Sequence, residues 1–163
     1  MNDLLFKPMG EADAREVLRW RYDAPYDIYN ADPAHNEEGV AALLDPANQY
    51  FIATDARGQL VGYCCYGPDA RVPGGDYRDP DALDIGLGMR PDLTGRGNGA
   101  AFVGSALAFG REQLGAQRYR LTVAEFNQRA MRVYERVGFA EVERFRRGGR
   151  PDDLLFVVMV EKC

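Results

Sequence analysis

Apolar positions along this chain recur with two periods, and their alternation predicts an order of elements. A short strand covers Leu4 to Pro8. Ala14, Val17 and Leu18 fall at i, i+3 and i+4 and predict a helix from about Glu11 to Trp20. The segment RYDAPYDIYN is irregular and aromatic, and a second helix runs from about Pro33 to Leu44 with Val40, Leu43 and Leu44 on one side. Two strands, QYFIATD and QLVGYCCYG, follow across the tight turn Ala56-Arg57-Gly58. The stretch from Pro68 to Asp81 is rich in Pro, Gly and Asp and longer than most connections inside a domain, which marks a functional or mobile loop. The strand DALDIGLGMRP then enters a glycine-rich turn and a long helix ending near Leu114. The strand RYRLTV, a helix from Asn127 to Val137 and a terminal hairpin complete the pattern. That hairpin pairs FAEVERF with LLFVVMV across a turn holding Gly148, Gly149, Arg150 and Pro151. The order βααβββαβαββ predicts one mixed α/β (α+β) domain, residues 1–163, around a central sheet.

Composition narrows the function. The 163 residues can bury a sizeable core, and 46% hydrophobic with 28% charged residues excludes wholesale disorder. A net charge of −5 argues against a nucleic-acid partner, which would call for a basic surplus. Of the three cysteines, Cys64 and Cys65 are adjacent, no CxxC spacing occurs, and His35 is the sole histidine, so no metal is expected. The start MNDLLFKPMG lacks an apolar h-region and no apolar run approaches a membrane span, so a cytoplasmic chain without membrane contact is expected.

The 18 glycines concentrate chemistry at one place, Pro91-Asp92-Leu93-Thr94-Gly95-Arg96-Gly97-Asn98-Gly99-Ala100, between a strand and a helix. Glycines there let the backbone approach a ligand, and the helix start offers free N–H groups with the positive dipole end behind them. That combination suits a phosphate or pyrophosphate; the alternative is a turn that merely starts a helix. No Lys follows the glycines, which excludes a P-loop. Gly95-x-Gly97-x-x-Ala100 loosely matches a dinucleotide fingerprint, but Gly115 to Arg120 lacks the acidic ribose partner. A second motif, Asn127-x-x-Ala130-x-x-x-Tyr134-x-x-x-Gly138-Phe139, puts Asn127, Ala130 and Tyr134 on one helical face. Read alone, Tyr134 is more readily a partly buried core tyrosine and Asn127 only an N-cap.

Together the two motifs resemble the GNAT superfamily of acyl-CoA-dependent N-acyltransferases, strongly over Leu83 to Phe139. The resemblance implies a mostly antiparallel sheet splayed at a coenzyme A site, with acetyl-CoA as co-substrate. The turn Thr94-Gly95-Arg96-Gly97-Asn98-Gly99, leading into Ala100, would hold the pyrophosphate, with Thr94 replacing the family's Gln or Arg. Leu87, Gly88 and Met89 would pair with the pantetheine arm, and Asn127 would bind that arm beside the small Ala130. Tyr134 would sit by the thiol as general acid. The implied reaction is direct acetyl transfer to a primary amine, from a small molecule or a peptide, by a monomer or homodimer. A protein N-terminal acetyltransferase and a non-catalytic acyl-CoA sensor are the rivals.

Such a reaction needs a neutral amine, whereas an amine of pKa about 10.4 is neutral in roughly one molecule in 2,500 at pH 7. Asp84 is the first candidate base and acceptor ligand, because alternation sets it beside Gly86 and Gly88 on what would be an open channel. A strand-edge Asp in solvent is the other reading, and Glu125 is a weaker candidate. The similar ribosomal-protein alanine acetyltransferases carry a glutamate where this chain has Thr122. For the acceptor, Tyr26 and Tyr29 are the expected contacts, with Trp20 read as packing. Cys64 and Cys65 need not be nucleophiles, and Arg144, Arg146, Arg147 and Arg150 read as a solvated hairpin tip.

Overall fold

The computed structural model describes residues 3–163; Met1 and Asn2, the first two positions of the stretch read for a leader, lie outside the described residues. Along the chain come β1 (Leu5–Pro8), α1 (Glu11–Arg19), α2 (Asn36–Leu44), β2 (Tyr50–Thr54), β3 (Leu60–Tyr66), β4 (Leu83–Met89), α3 (Gly99–Leu114), β5 (Tyr119–Ala124), α4 (Gln128–Arg136), β6 (Phe139–Arg146) and β7 (Leu155–Glu161). The predicted order holds throughout. The aromatic segment forms a single 3-10 turn at Tyr26–Tyr29, and Pro33–His35 forms another ahead of α2, where the Asp32 carboxylate accepts from the Ala34 N–H at 2.9 Å. The second helix therefore starts at Asn36 rather than Pro33.

Seven strands form one sheet in the order β1-β2-β3-β4-β5-β7-β6. Every neighbouring pair is antiparallel except β4 and β5, which run parallel and are joined by the α3 crossover. That parallel pair is short: only Leu83–Tyr119 and Asp84–Arg120 are in register, and the strands then part. The hydrogen bonds at the fork fix which groups face the gap. The Leu83 N–H donates toward β5 (to the Arg118 carbonyl, 2.9 Å), whereas the Asp84 carbonyl accepts from Gly67 on the β3 side at 2.8 Å. Beyond that point alternation turns the Ile85 carbonyl and the N–H and C=O groups of Leu87 and Met89 toward a strand that is no longer there.

Helices cover both faces. Against one, α1 and α2 bury Ala14, Val17 and Val40 with Trp20 and Ile52. Against the other, α3 and α4 bury Val103, Ala106 and Met131 with Tyr66, Tyr119 and Ile85. Tyr66 and Tyr119 are wholly buried, and each donates its hydroxyl at 2.8 Å to an α3 carbonyl, of Ala106 and Leu107 respectively. Burying a phenol is tolerable only with such a partner.

The loop from Pro68 to Asp81 is stitched to the sheet. The Tyr77 hydroxyl lies 2.9 Å from the Val72 N–H, 3.0 Å from its carbonyl and 2.9 Å from Thr122 Oγ1. Arg71 and Arg120 both stack over the Tyr77 ring, at 5.4 and 5.1 Å. The loop thus closes one side of the region where β4 and β5 separate.

Candidate active site

A cavity of about 590 Å³ fills the parting between β4 and β5. It passes through the sheet, reaching Tyr22 and Tyr63 on the α1 side and Phe102, Val103 and Val133 on the α3 side. Its end at the glycine turn is shaped by two left-handed residues, Gly95 at φ +69° and Gly97 at φ +81°. A Cβ on Gly97 would meet nothing within 4 Å, so that backbone lies open to a ligand. The Asn98 side chain is turned inward, its amide donating to the Leu93 carbonyl at 3.1 Å, and the Thr94 hydroxyl donates to the Pro91 carbonyl at 2.7 Å. Both side chains hold the turn itself. The first intrahelical bond of α3 runs from Phe102 to Asn98, which leaves the N–H groups of the preceding residues free.

Among the expected contacts, Leu87, Gly88, Met89, Thr94, Gly95, Gly97, Gly99, Ala100, Asn127, Ala130 and Tyr134 line the cavity. Arg96 and Asn98 do not, and Arg96 is exposed. Asn127 is the N-cap of α4, its Oδ1 accepting from Ala130 at 3.1 Å, while its Nδ2 donates to the Tyr29 hydroxyl at 3.2 Å. Cap and binding wall are therefore compatible roles for one side chain.

Tyr26 and Tyr29 also line the cavity, and their segment straps across the gap. At one end the Tyr22 hydroxyl donates to the Met89 carbonyl at 2.6 Å, using one of the β4 groups that the parting leaves free. At the other, Tyr26 and Tyr29 pack on Phe126, and Arg129 lies 4.3 Å above the Tyr26 ring. Burial raises the phenol pKa of Tyr22, Tyr29 and Tyr134, and pushes that of Tyr63 up to about 12. Neighbouring Tyr29 and Tyr63 add to the effect at Tyr134. All four phenols keep their protons at neutral pH.

Asp84 requires a correction. It is 2% exposed, does not line the cavity, and its carboxylate is held by Arg120 (Nε at 2.6 Å, Nη2 at 2.8 Å) and by Arg71 at 2.8 Å. A carboxylate clamped by two guanidiniums at the vertex of the fork has no lone pair turned to an amine, so it serves neither as base nor as acceptor ligand. The channel expected beside it is also filled: a Cβ on Gly88 would fall 2.3 Å from the Tyr63 ring, and one on Gly86 2.9 Å from Cys65 Sγ. Those glycines admit neighbouring side chains of the protein. Glu125 pairs with Arg144 at 3.7 Å and is likewise absent from the cavity wall. Trp20 is buried in the α1–α2 core, as read.

The charged residues of the cavity wall, Arg129, Arg132 and Arg136 of α4, escaped the sequence reading, as did Tyr63 of β3. Arg129 approaches the glycine turn, its Nη1 3.1 Å from where a Gly95 Cβ would be. Their i, i+3, i+7 spacing was available as a signal, a basic strip beside the strip of Asn127, Ala130 and Tyr134. The glycine turn, the free α3 N–H groups, these guanidiniums and the unpaired β4 edge fit a long ligand with phosphates at one end and amides along its arm.

A family model described as the acetyltransferase (GNAT) family matches residues 12–139, and the chain belongs to that family. Over 95 residues it is 36% identical to a mycothiol acetyltransferase of Salinispora tropica, a match covering 56% of this chain and 28% of that relative. Over 118 residues it is 35% identical to a mycothiol acetyltransferase of Propionibacterium freudenreichii subsp. shermanii, covering 66% of this chain and 36% of that one. The chain thus spans about a third of the length of these curated relatives. Among solved structures, a spermidine N-acetyltransferase chimera from Vibrio cholerae and hSSAT superposes with a TM-score of 0.72 at 19% identity, covering 97% of this chain and 94% of that one. A GNAT-family acetyltransferase from Bacillus anthracis gives 0.72 at 16% identity, covering 96% and 93%. These structures share the fold. Among the described residues no helix is long and apolar enough to cross a membrane.

Proposed function

We propose that this protein transfers an acetyl group from acetyl-CoA to a primary amine by direct attack within a ternary complex. The observation that carries this reading is the parting of β4 from β5 directly ahead of the glycine turn, which joins an unpaired strand edge to a phosphate cradle in one cavity. Bound acetyl-CoA would supply an activated thioester: the C–N bond forms as the C–S bond breaks, sulfur leaves as the thiol with a proton from Tyr134, and the proton shed by the acylated nitrogen passes to solvent, from which Tyr134 is reprotonated.

The chain's own groups divide the work. The backbone of Gly95 to Ala100, with Arg129, Arg132 and Arg136, holds the phosphates. The inward N–H groups of Leu87 and Met89 pair with the extended arm and donate to an oxygen that gains negative charge during transfer, an effect strongest where water is excluded. Asn127 fixes the arm from the α4 side. Tyr134, protonated at neutral pH, holds a proton at Oη for the departing sulfur. Tyr26, Tyr29 and Tyr63 enclose the acceptor and shed water from the site.

Thiol release from acetyl-CoA across a panel of amines tests the reading, with CoA binding followed by calorimetry. A hydrogen bond to a charged group contributes about 1.5–3 kcal/mol, so Tyr134→Phe should lower kcat roughly 10- to 150-fold with CoA affinity little changed. Equal turnover by the phenylalanine variant would remove Tyr134 from the mechanism. Tight CoA binding without turnover on any amine would leave a sensor, and no CoA binding would end the acetyl-transfer reading.

A further inference from the structure

The cavity wall also constrains the acceptor. Its titratable groups come from three places. The strap between α1 and α2 contributes Tyr22, Tyr26 and Tyr29, and β3 contributes Tyr63. From α4 come Tyr134 and the three arginines; β4 and β5 add only apolar side chains, glycines and the Thr122 hydroxyl. Among the described residues no Asp, Glu or His lines this cavity, and the two positions outside the description are Met1 and Asn2. Asp84 is spent on Arg120 and Arg71, and Glu125 is paired with Arg144. Two carboxylates, Asp23 and Asp92, line a smaller adjoining pocket, where Arg21 and Arg129 stand beside them. Arg90 holds Asp92 at 2.6 Å.

Fixed charge on the wall is therefore confined to the three guanidiniums, which the acetyl-CoA phosphates engage on the reading above, and no carboxylate lines it. Two consequences bear on an amine entering it. No side chain takes the ammonium proton, so the reactive fraction is set by the amine's own pKa. An α-amino group, of pKa about 7.7–8.0, is neutral in about one molecule in six to eleven at pH 7, against one in roughly 2,500 for a lysine-type amine, an advantage of about 230- to 420-fold. In addition, a second ammonium on the acceptor would enter a low-dielectric cavity whose lining offers no carboxylate to pair with it.

We infer that the acceptor, on the acetyl-transfer reading above, is an α-amino group on a body carrying no second cationic centre, such as an aminoacyl amide or a neutral or acidic aminoacyl conjugate. Polyamines and lysine side chains are poor fits to the same wall. The aromatic strap suits an apolar or ring-bearing body next to that amine.

The test uses the full chain, acetyl-CoA, and three acceptors: phenylalaninamide, Nα-acetyl-lysinamide and spermidine. At pH 7, kcat/KM for phenylalaninamide should exceed that for either other amine by roughly 100-fold or more. Its logarithm should rise with unit slope to a break at each acceptor's own pKa. A break at one pH common to all three acceptors would show an enzyme base and overturn the inference, as would spermidine equalling phenylalaninamide. Calorimetry with CoA separates the two levels: binding retained with the wrong acceptor preference overturns the acceptor class alone, whereas lost CoA binding overturns the reading beneath it.

Discussion

Replacing Asp84 by Asn distinguishes a carboxylate that does chemistry from one that holds the fork together. In the structure the Asp84–Arg120 pair is enclosed, each side chain being 3% exposed, and it occupies the last registered position before β4 and β5 part. Arg71, at 40% side-chain exposure, is screened and adds little. Removing one partner of a buried pair leaves an uncompensated charge and costs about 3–5 kcal/mol. A 163-residue chain unfolds with an entropy of about 0.34 kcal/mol/K at roughly 2.1 cal/mol/K per residue. The loss therefore lowers Tm by about 9–15 °C. The amide retains one acceptor for Arg120 but turns an N–H₂ toward its guanidinium, which places it at the lower end of that range. Urea and thermal unfolding give the stability, and kcat measured well below the variant's Tm gives the chemistry. The expected result is a large fall in Tm with kcat for the folded protein within about tenfold of the original. A Tm within 3 °C of the original together with a hundredfold loss of kcat would refute the structural role and return Asp84 to catalysis.

Two further outcomes follow from the same structure. Burial pushes the thiols of Cys64 and Cys65 up to about 12 and about 11, so their thiolate populations at pH 8 are below about one in a thousand. With Cys163 exposed, iodoacetamide on the native protein should add one adduct by mass spectrometry, and three rapid adducts would contradict the burial. At Gly97, where φ is +81°, alanine fits the space but not the backbone, a strain of about 1–2 kcal/mol. Gly97→Ala should raise the CoA dissociation constant by roughly tenfold or more, and unchanged CoA affinity would exclude this turn as the phosphate cradle.

The order of elements was legible because periods of 2 and 3.6 are local properties, and the turns declare themselves through Gly, Pro and Asp. The glycine turn and the face of Asn127, Ala130 and Tyr134 were legible for the same reason: each lies within one short stretch. What failed was non-local. Asp84 meets Arg120 across a parallel register 36 positions away, and nothing near Asp84 announces it. Gly88 reads as empty space until β3 brings Tyr63 across it, since a strand's own sequence specifies its face and not the neighbour's side chain. The Arg129, Arg132 and Arg136 strip was in principle readable but lay on the side of α4 next to the strip that drew attention. The break between β4 and β5 came only through likeness to a family, because neither strand contains a residue that forces it.

That break gives the sheet two extra edges in its middle. An exposed edge on the outside of a protein is an aggregation hazard, and chains guard it with charges, prolines or bulges. Here Ile85, Leu87 and Met89 need no such guards, because α3, α4 and the tyrosine strap wall the interior edge off from other proteins. The residues along it are free to stay apolar and extended, a template awaiting a strand. Any guest small enough to slip in and bearing amides along a thin arm completes the sheet as an internal form of strand addition. On the proposed reading, recognition of that arm would rest on main-chain groups, which substitution at most side chains leaves intact, and selectivity for whatever meets it would be left to the walls.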